Sequence, residues 1–435
     1  MNNQFSVSQE QADQLTTALA AVAGYYCDAI REQEAAAAHF GHPDLPVPDD
    51  PVLEKMGLIS SLIYRHPGYD AIAAALAADK SLEALHHLPG QLDPFVAMGG
   101  YGGFRADAAN LLPQILIGAA VKMYFHGEAW DEATMQAIVR ESVQDLRRVV
   151  NGGPVAGEQV IAFDGLSLPE GRTIDTPWGA LRNAPSTPNL RIRFFSRFAR
   201  VLLFVPIEIS VKLDRAAEVP IPPANPNDSR RIVEAVTRLP LACCLALDQA
   251  RRVAPLETWR TVLTPFTYSG YSQPYVFAPP RSHTVTLTPP ECDEVEAWAR
   301  SIQDHHAESI DVSAFRLVSA VGQRLAIADK LIDAVIVWEN LFGTTPETSF
   351  RLCAAITKLL EPEVLKRLAL MKQLQKVYGL RSTVAHGSTS EGADLQGAAN
   401  EAIETAVRCL RAMYRDRVDL MPLRSKDRAD TLLLS

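Results

Sequence analysis

The sequence predicts a mainly α-helical protein with a mixed α+β middle region and an antiparallel four-helix bundle at its C-terminus. Three observations predict this fold class. Apolar residues recur at helical spacing near residues 130–150, short apolar runs alternate at period two from about 155 to 290, and four helical segments follow residue 310. At 435 residues the chain is long enough for two or three domains. We expect a helical N-terminal region of unknown role (1–154), a mixed α+β region that is separate from or continuous with it (155–305), and the helical bundle (306–435).

Composition and charge exclude several classes of protein. Hydrophobic residues make up 47% of the chain and charged residues 21%, which excludes a wholly disordered chain. Lys and Arg total 42 against 51 Asp and Glu, a net charge of −9, which disfavours a sequence-blind polyanion binder. A local basic patch is still compatible with this charge.

Cysteine spacing and the apolar segments set the expected compartment. The six cysteines show no C-x-x-C pair and no zinc-type spacing, so we expect neither a disulfide framework nor a metal site. The N-terminus lacks the basic start of a signal peptide, and no apolar segment reaches the ~18 residues of a membrane span. We therefore expect a soluble cytoplasmic protein with no membrane contact.

The N-terminal region contains one clear helical pattern. In WDEATMQAIVRESVQDLRRVV (130–150), apolar residues recur at helical spacing, and Asn151-Gly152-Gly153-Pro154 ends the run. The glycine cluster GGYGGF (99–104) is predicted to be a turn and not a phosphate-binding loop, because no Lys-Ser/Thr pair follows it.

The middle region mixes strand patterns with one arginine-rich segment. QVIAFDGLSL, IEISVKL and HTVTLTP are predicted strands because their apolar residues alternate. After Pro188, the run RIRFFSRFARVLLF would place Arg193, Arg197 and Arg200 on one side of a helix. These arginines either contact the phosphates of an RNA or form the solvated face of an amphipathic helix.

Four helical segments follow residue 310. They comprise residues 314–342, a segment that begins at Thr344-Thr345-Pro346-Glu347 and ends before Pro362, VLKRLALMKQLQKVYGL (364–380), and a last segment from Ala393 to Tyr414. Short connections between four helices favour an antiparallel bundle. The expected inward face of the first segment holds Leu317, Val321, Leu325, Ala328, Ile332, Val335 and Phe342, and that of the third holds Leu368, Met371, Leu374 and Tyr378.

The residues that could carry chemistry lie at the end of the third segment, from Tyr378 to Gly387. Arg381 and His386 are five positions apart, which in an unbroken helix turns them roughly 140° from each other. We therefore expect the helix to break near His386, or another element or subunit to complete the site. Glu339 lies in the apolar run AVIVWENLF, where a carboxylate needs a partner, and an arginine is the natural one. Asp304-His305-His306 superficially matches a phosphoesterase motif, but this short match is interpreted as coincidence.

These residues resemble the HEPN superfamily, in particular its Apea-like branch. The branch reads close to Y-x-x-R-S-x-x-x-H-G, which Tyr378, Arg381, Ser382, His386 and Gly387 match. The branch also commonly carries an acidic residue in an apolar first helix, and Glu339 corresponds to that residue here. The resemblance covers about residues 310–430, under a third of the chain.

The resemblance implies a metal-independent endoribonuclease without a cofactor, acting as a homodimer through the bundle. His386 would transfer the proton, Arg381 would stabilise the charged phosphorane, Glu339 would orient Arg381, and Ser382 would hydrogen-bond the phosphate or the imidazole. It also implies a toxin, phage-defence or stress effector regulated by residues 1–300.

Three other interpretations stay open. Arg381 and Glu339 could form only a structural pair while His386 caps a helix. The bundle could be a non-catalytic HEPN module for dimerisation or for nucleotide or RNA binding. The activity could also lie in residues 1–300.

Overall fold

The computed structural model describes residues 95–99, 104–107, 115, 119, 122, 132–150, 153–184, 200–214, 225–263, 268–272, 284–343, 348–386 and 394–434. They fall into two compact units, each built from three stretches of chain. The first is drawn from Met1–Ala162, Asn183–Ile232 and Thr258–Tyr275, and the second from Phe163–Arg182, Val233–Glu257 and Val276–Ser435. The predicted division at 154 and 305 stays a prediction. The described part is mostly helical, with an antiparallel sheet in the middle and helices at the C-terminus, as predicted.

The sheet of the first unit has the strand order β2-β1-β7-β3-β8-β9. β1 pairs antiparallel with β2 and with β7, so that Phe95 lies opposite Asp107 on one side and Asp214 on the other. The strands are β1 (Phe95–Gly99), β2 (Phe104–Asp107), β3 (Val155–Asp164), β7 (Val201–Asp214), β8 (Leu256–Leu263) and β9 (Tyr268–Ser272).

Two short strands were not predicted in the N-terminal region. β1 and β2 flank the glycine cluster, whose residues 100–103 lie outside the described residues. Strands of five and four residues carry too little alternation to be distinguished from a loop by sequence. The one helix with a clear pattern is confirmed as α1 (Glu132–Val150), which buries Val139, Val143 and Leu146.

β7 corrects the arginine-rich helix predicted for this region. Arg200 is exposed and directly precedes β7, so it does not lie on a helix, while Arg193 and Arg197 lie outside the described residues. Residues 201–205 are all buried, and Pro206 would break a helix at that point. The run of apolar residues therefore reflects a strand buried on both faces. RNA binding by the three arginines stays a prediction, although Arg200 does not lie on the predicted helix.

The second unit contains two pairs of short strands, and its first helices are α2 and α3. β5 (Thr173–Thr176) and β6 (Gly179–Asn183) form an antiparallel hairpin, and β10 (Val285–Thr286) pairs parallel with β4 (Leu166–Ser167). The unit shares α2 (Pro226–Ala246) with the first unit and continues with α3 (Pro289–His305). Thr288 and Glu291 form a capping box at the start of α3, which fixes where that helix begins.

The C-terminal helices surround α5. This helix packs against α4, α6, α7, α8 and α9, and its Trp338 indole donates a 3.0 Å hydrogen bond to the Ala402 carbonyl of α8. α6 ends two residues before Pro362, as predicted. The helices are α4 (Asp311–Val318), α5 (Ile327–Phe342), α6 (Thr348–Leu360), α7 (Val364–Ala385), α8 (Leu395–Arg415) and α9 (Ser425–Leu434).

The sequence predicted one helical segment over residues 314–342, and this prediction was wrong. A π-helical turn, Ser319–Gln323, follows α4, and Arg324 is extended before α5 begins. The cause is Asp333, which is 2% exposed and binds Arg316 and Arg324 at 2.7 Å each. Because Arg324 must reach this carboxylate, the chain leaves the helix there. Leu325 is consequently 80% exposed, and its predicted place in the core was wrong.

α7 buries less of its surface than its sequence predicts. Leu374 and Val377 are its buried residues, whereas Leu368 is 58% exposed and Tyr378 is half-buried. α9 was not predicted at all. Within the described ranges, no helix combines the length and the apolar character that crossing a bilayer requires.

Candidate active site

The side chains singled out from the sequence come from α5 and α7, which pack against each other. α5 is apolar through Val337, Trp338, Leu341 and Phe342, all fully buried, and it carries Glu339 at its edge. The Glu339 side chain is 28% exposed. A carboxylate in such a position keeps access to solvent and still loses enough water to need partners.

Glu339 has two partners on α7, one for each carboxylate oxygen. The Tyr378 hydroxyl donates to Oε1 at 2.9 Å, and Arg381 donates from one terminal nitrogen to Oε2 at 3.2 Å. Tyr378 and Arg381 are three positions apart on one helix face, which lets both reach the same acceptor. The arginine partner expected for Glu339 is therefore present and is Arg381.

Tyr378 acts as a fixed hydrogen-bond donor in this cluster. Burial, followed by its hydrogen bond to Glu339, raises the pKa of Tyr378 to about 12. The hydroxyl thus stays protonated at every physiological pH and holds the Glu339 carboxylate in one orientation.

Arg381 retains donors that the described residues do not use. Its Nε is buried and has no hydrogen-bond partner in the described part of the chain. The side chain as a whole is 23% exposed. The buried Nε cannot reach a ligand, but a guanidinium offers five N–H donors and Glu339 accepts from one of them. Donors at the partly exposed end of the side chain therefore remain for an anion such as a phosphate.

His386 stands at the end of the same helix. α7 ends at Ala385, and His386 forms its C-cap, with its backbone N–H donating to the Ser382 carbonyl at 3.2 Å. The predicted helix break near His386 is therefore confirmed, while Gly387 lies outside the described residues. The imidazole is exposed and makes no hydrogen bond to Arg381 or Glu339 among the described residues. One chain thus brings together Glu339, Tyr378 and Arg381 but not His386.

A second polar cluster surrounds His306, which belongs to the short Asp304-His305-His306 match interpreted above as coincidence. Its side chain is 3% exposed, and its ring nitrogens lie 2.6 Å from the Tyr414 hydroxyl and 2.6 Å from Asp311 Oδ1. Asp311 can only accept, so the ring carries its proton on Nε2 and accepts from Tyr414 at Nδ1. This arrangement joins α3, α4 and α8, and it is structural because the ring is enclosed. The sequence could not predict this cluster, because His306 and Tyr414 are 108 positions apart in the chain.

The buried His306 predicts a stability that falls at acid pH. Burial lowers the pKa of His306 despite the opposing effect of Asp311, with Arg238 and Glu234 as the other charged groups facing it. The unfolded chain therefore takes up this proton first as the pH falls through about 6.5, and stability is lost by at most about 1.4 kcal/mol per pH unit. We expect His306→Gln to lower the free energy of unfolding at pH 7.5 and to reduce its difference from pH 5.5, as measured by urea titration. An unchanged pH difference in the variant would contradict this assignment.

The first unit contains a cavity of about 220 Å³ lined by residues of α1, β3 and β7. Three carboxylates line it, and each has a partner: Asp145 pairs with Arg148 at 2.7 Å, Glu141 pairs with Lys122 at 3.2 Å, and Glu158 also has one. Burial raises the pKa of Asp145. The cavity therefore does not by itself indicate a second catalytic site.

Neither a metal cluster nor a relative identifies the site. No group of three or more His, Cys, Asp or Glu side chains in the described residues is arranged to hold a metal ion. No protein-family model matches the chain, and neither the curated proteins nor the solved structures compared with it give a match. The geometry of Glu339, Tyr378, Arg381 and His386 is therefore the basis on which a function can be assigned.

Proposed function

We propose that this chain is a HEPN-type endoribonuclease that cleaves RNA without a metal ion. In this proposal α5, α6, α7 and α8 form the antiparallel four-helix bundle, and Arg381, His386, Glu339 and Ser382 form the site. The observation that carries the proposal is an arginine oriented by Glu339 and Tyr378, with unused donors, on a helix that ends in an exposed histidine. These are the two groups that phosphodiester transfer requires.

The chemistry follows from these groups. His386 removes the proton of a ribose 2′-OH as the oxygen attacks the adjacent phosphorus. A bond forms between the 2′-oxygen and phosphorus, and the bond from phosphorus to the 5′-oxygen breaks. The leaving 5′-oxygen takes up the proton that His386 has accepted, which leaves a 2′,3′-cyclic phosphate and a 5′-OH. Arg381 stabilises the additional negative charge on the phosphorane, and Ser382 donates to a phosphate oxygen. The need for a 2′-OH confines cleavage to RNA.

A homodimer would complete the site. His386 and Arg381 are turned about 140° from each other around α7, so a single helix does not present both to one phosphate. In the proposed dimer, the two-fold axis would bring the His386 of each copy opposite the Arg381 of the other. We further propose that the protein acts in the cytoplasm as a toxin, phage-defence or stress effector, with residues 1–300 controlling it.

A non-catalytic HEPN module is the second candidate. The observation in its favour is the pair formed by Glu339 and Arg381, which is already closed within one chain and does not include His386. In this case the helices would serve as a dimerisation scaffold or would bind RNA or a nucleotide without cutting it.

Cleavage of a mixed RNA pool in EDTA separates the two candidates. We expect the wild-type chain to produce 2′,3′-cyclic phosphate ends and His386→Ala to produce none, because His386 is the group to which the proposal assigns the proton transfer. The matched control is His305→Ala, an exposed histidine in the last turn of α3, which should cut as the wild type does. Cutting that survives His386→Ala would overturn the site assignment. If the full-length wild type does not cut RNA, residues 300–435 are expressed in cells as a second test. Absence of cutting in both experiments would favour the scaffold.

A further inference from the structure

The charge on α7 is opposite to that of the whole chain. This helix carries five basic residues and no acidic residue, whereas the protein has a net charge of −9. The basic residues are Lys366, Arg367, Lys372, Lys376 and Arg381. A surface of one sign in an acidic protein indicates a partner of the opposite sign.

Two of these basic side chains make no contact with a charged or hydrogen-bonding group in the described part of the chain. Lys366 pairs with Glu363, Arg367 donates to the carbonyls of Glu361 and Pro362, and Arg381 pairs with Glu339. By contrast, Lys372 and Lys376 are exposed and have no hydrogen-bond or ion-pair partner among the described residues. They are one helical turn apart and face solvent together.

Helical geometry places His386 at the end of the same exposed face. At 100° per residue, His386 is rotated by about 40° from Lys372 and about 80° from Lys376. A rise of 1.5 Å per residue separates Lys372 from His386 by about 21 Å along the axis. A ligand lying along the two lysines therefore points toward the proposed proton-transfer group.

A glycine on the same face of α7, Gly379, is a second feature that indicates a ligand. It lies between Lys376 and His386, is exposed, and a Cβ added there would meet nothing within 4 Å. A glycine inside a helix is unfavourable, and here no packing within the described chain explains it. Close approach of a ligand backbone is the physical reason that remains.

Apolar side chains on α7 distinguish the partner class. Leu365 is 83% exposed and, seven residues before Lys372, lies on the same face as the lysines. A helix that binds a membrane surface separates its apolar face from its basic face, and α7 does not. Basic and apolar groups interleaved along one helix face fit a single-stranded nucleic acid, whose backbone is anionic and whose bases are apolar on their faces.

We propose that Lys372, Lys376 and Gly379 form an RNA track on α7 that binds the phosphodiester backbone of single-stranded RNA and leads it to His386. This inference rests on the proposed function and names the surface that binds its substrate. The two ammonium groups neutralise phosphates as point charges, and the absence of a side chain at Gly379 lets the backbone approach the helix.

Binding is measured separately from cleavage. The full-length His386→Ala protein is titrated into a fluorescein-labelled 12-nucleotide oligouridylate, and anisotropy is followed from 50 to 200 mM NaCl. We expect the added change Lys372→Ala/Lys376→Ala to weaken Kd at least tenfold and to reduce the slope of log Kd against log salt by about 1.4, which is about 0.7 for each lost phosphate contact. The matched control, Lys330→Ala/Lys426→Ala, removes the same charge from α5 and α9 and should bind within twofold of its parent.

Gly379→Ala gives a test that loss of folding cannot imitate. It should raise the melting temperature by about 2 °C, because alanine favours the helix, and at the same time weaken RNA binding severalfold. A variant that is more stable and binds RNA equally well would overturn the role of Gly379.

The remaining outcomes distinguish this inference from the proposed function. Cleavage by the wild type with RNA affinity independent of both lysines would overturn the RNA track and leave the nuclease intact. Lysine-dependent RNA binding without cleavage would support the track and favour the scaffold. Lysine-dependent binding to phosphatidylserine vesicles with no affinity for RNA would overturn the track in favour of a membrane surface.

Discussion

Arg428→Ala is expected to lower the free energy of unfolding by about 3 kcal/mol, the largest loss of stability from any single side chain considered. Arg428 lies on α9, is 0% exposed, and has no carboxylate partner among the described residues. Its guanidinium instead donates to four backbone carbonyls and one hydroxyl, those of Leu420, Met421, Asn340, Leu341 and Ser309. Burial lowers the pKa of Arg428 to about 10, so the group stays charged at neutral pH.

The cost arises because alanine leaves these acceptors buried without donors. The measurement is urea unfolding at pH 7.5, followed by circular dichroism. The matched control is Arg424→Ala, which should change stability by less than about 0.5 kcal/mol, because its side chain is 87% exposed and, among the described residues, pairs with Asp427 alone. A loss below about 1 kcal/mol for Arg428→Ala would show that water replaces the guanidinium and would sink this prediction.

The hydrogen bonds of Arg428 also connect the stability of the fold to the candidate site. Two of the carbonyls that Arg428 binds, at Asn340 and Leu341, directly follow Glu339 in the last turn of α5. This cation at the C-terminal end of a helix also interacts favourably with the helix dipole. Loss of Arg428 would therefore loosen the turn that positions Glu339, and we infer that α9 contributes to the geometry of the site without contacting it.

The sequence was informative about the site wherever local burial decided the outcome. Glu339 lies in an apolar run, so its need for an arginine could be predicted without any structure, and Arg381 is that arginine. The break before Gly387 could also be predicted, because the spacing of Arg381 and His386 does not fit one helix face. The contribution of Tyr378 could not be predicted, since a tyrosine at helical spacing is usually a core residue.

The sequence was misleading wherever a distant partner decided the conformation. Asp333 draws Arg324 out of a segment whose apolar periodicity continues without interruption, so Leu325 is exposed. Residues 201–205 have no strong periodicity, and only their burial in the sheet makes them a strand. Arg428 appears as an ordinary surface arginine in its polar sequence context, because the carbonyls that bind it come from α5 and from the turn before α9.

Arg381→Lys is expected to reduce kcat for RNA cleavage by a factor of about 10²–10³, provided that the proposed function holds. Lysine keeps the positive charge but loses the planar fork of donors, so it holds Glu339 and a phosphate oxygen in a less fixed geometry. Glu339→Gln should cost less, about tenfold, because the amide still accepts from Tyr378 and only weakens the orientation of Arg381. Rates are measured by single-turnover cleavage of a labelled RNA, so that chemistry is separated from product release.

The decisive comparison is the double variant, because a structural pair and a catalytic pair predict different results. The Glu339–Arg381 pair is partly exposed, so its own contribution to stability is about 1 kcal/mol at most, and melting temperatures of all variants should stay within a few degrees. If Glu339 acts through Arg381, adding Glu339→Gln to Arg381→Lys costs no further rate. If the two side chains only hold α5 against α7, each substitution lowers stability instead, and the rates that remain fall in proportion to the folded fraction. Multiplicative loss of rate in fully folded protein would mean that Glu339 contacts the substrate itself.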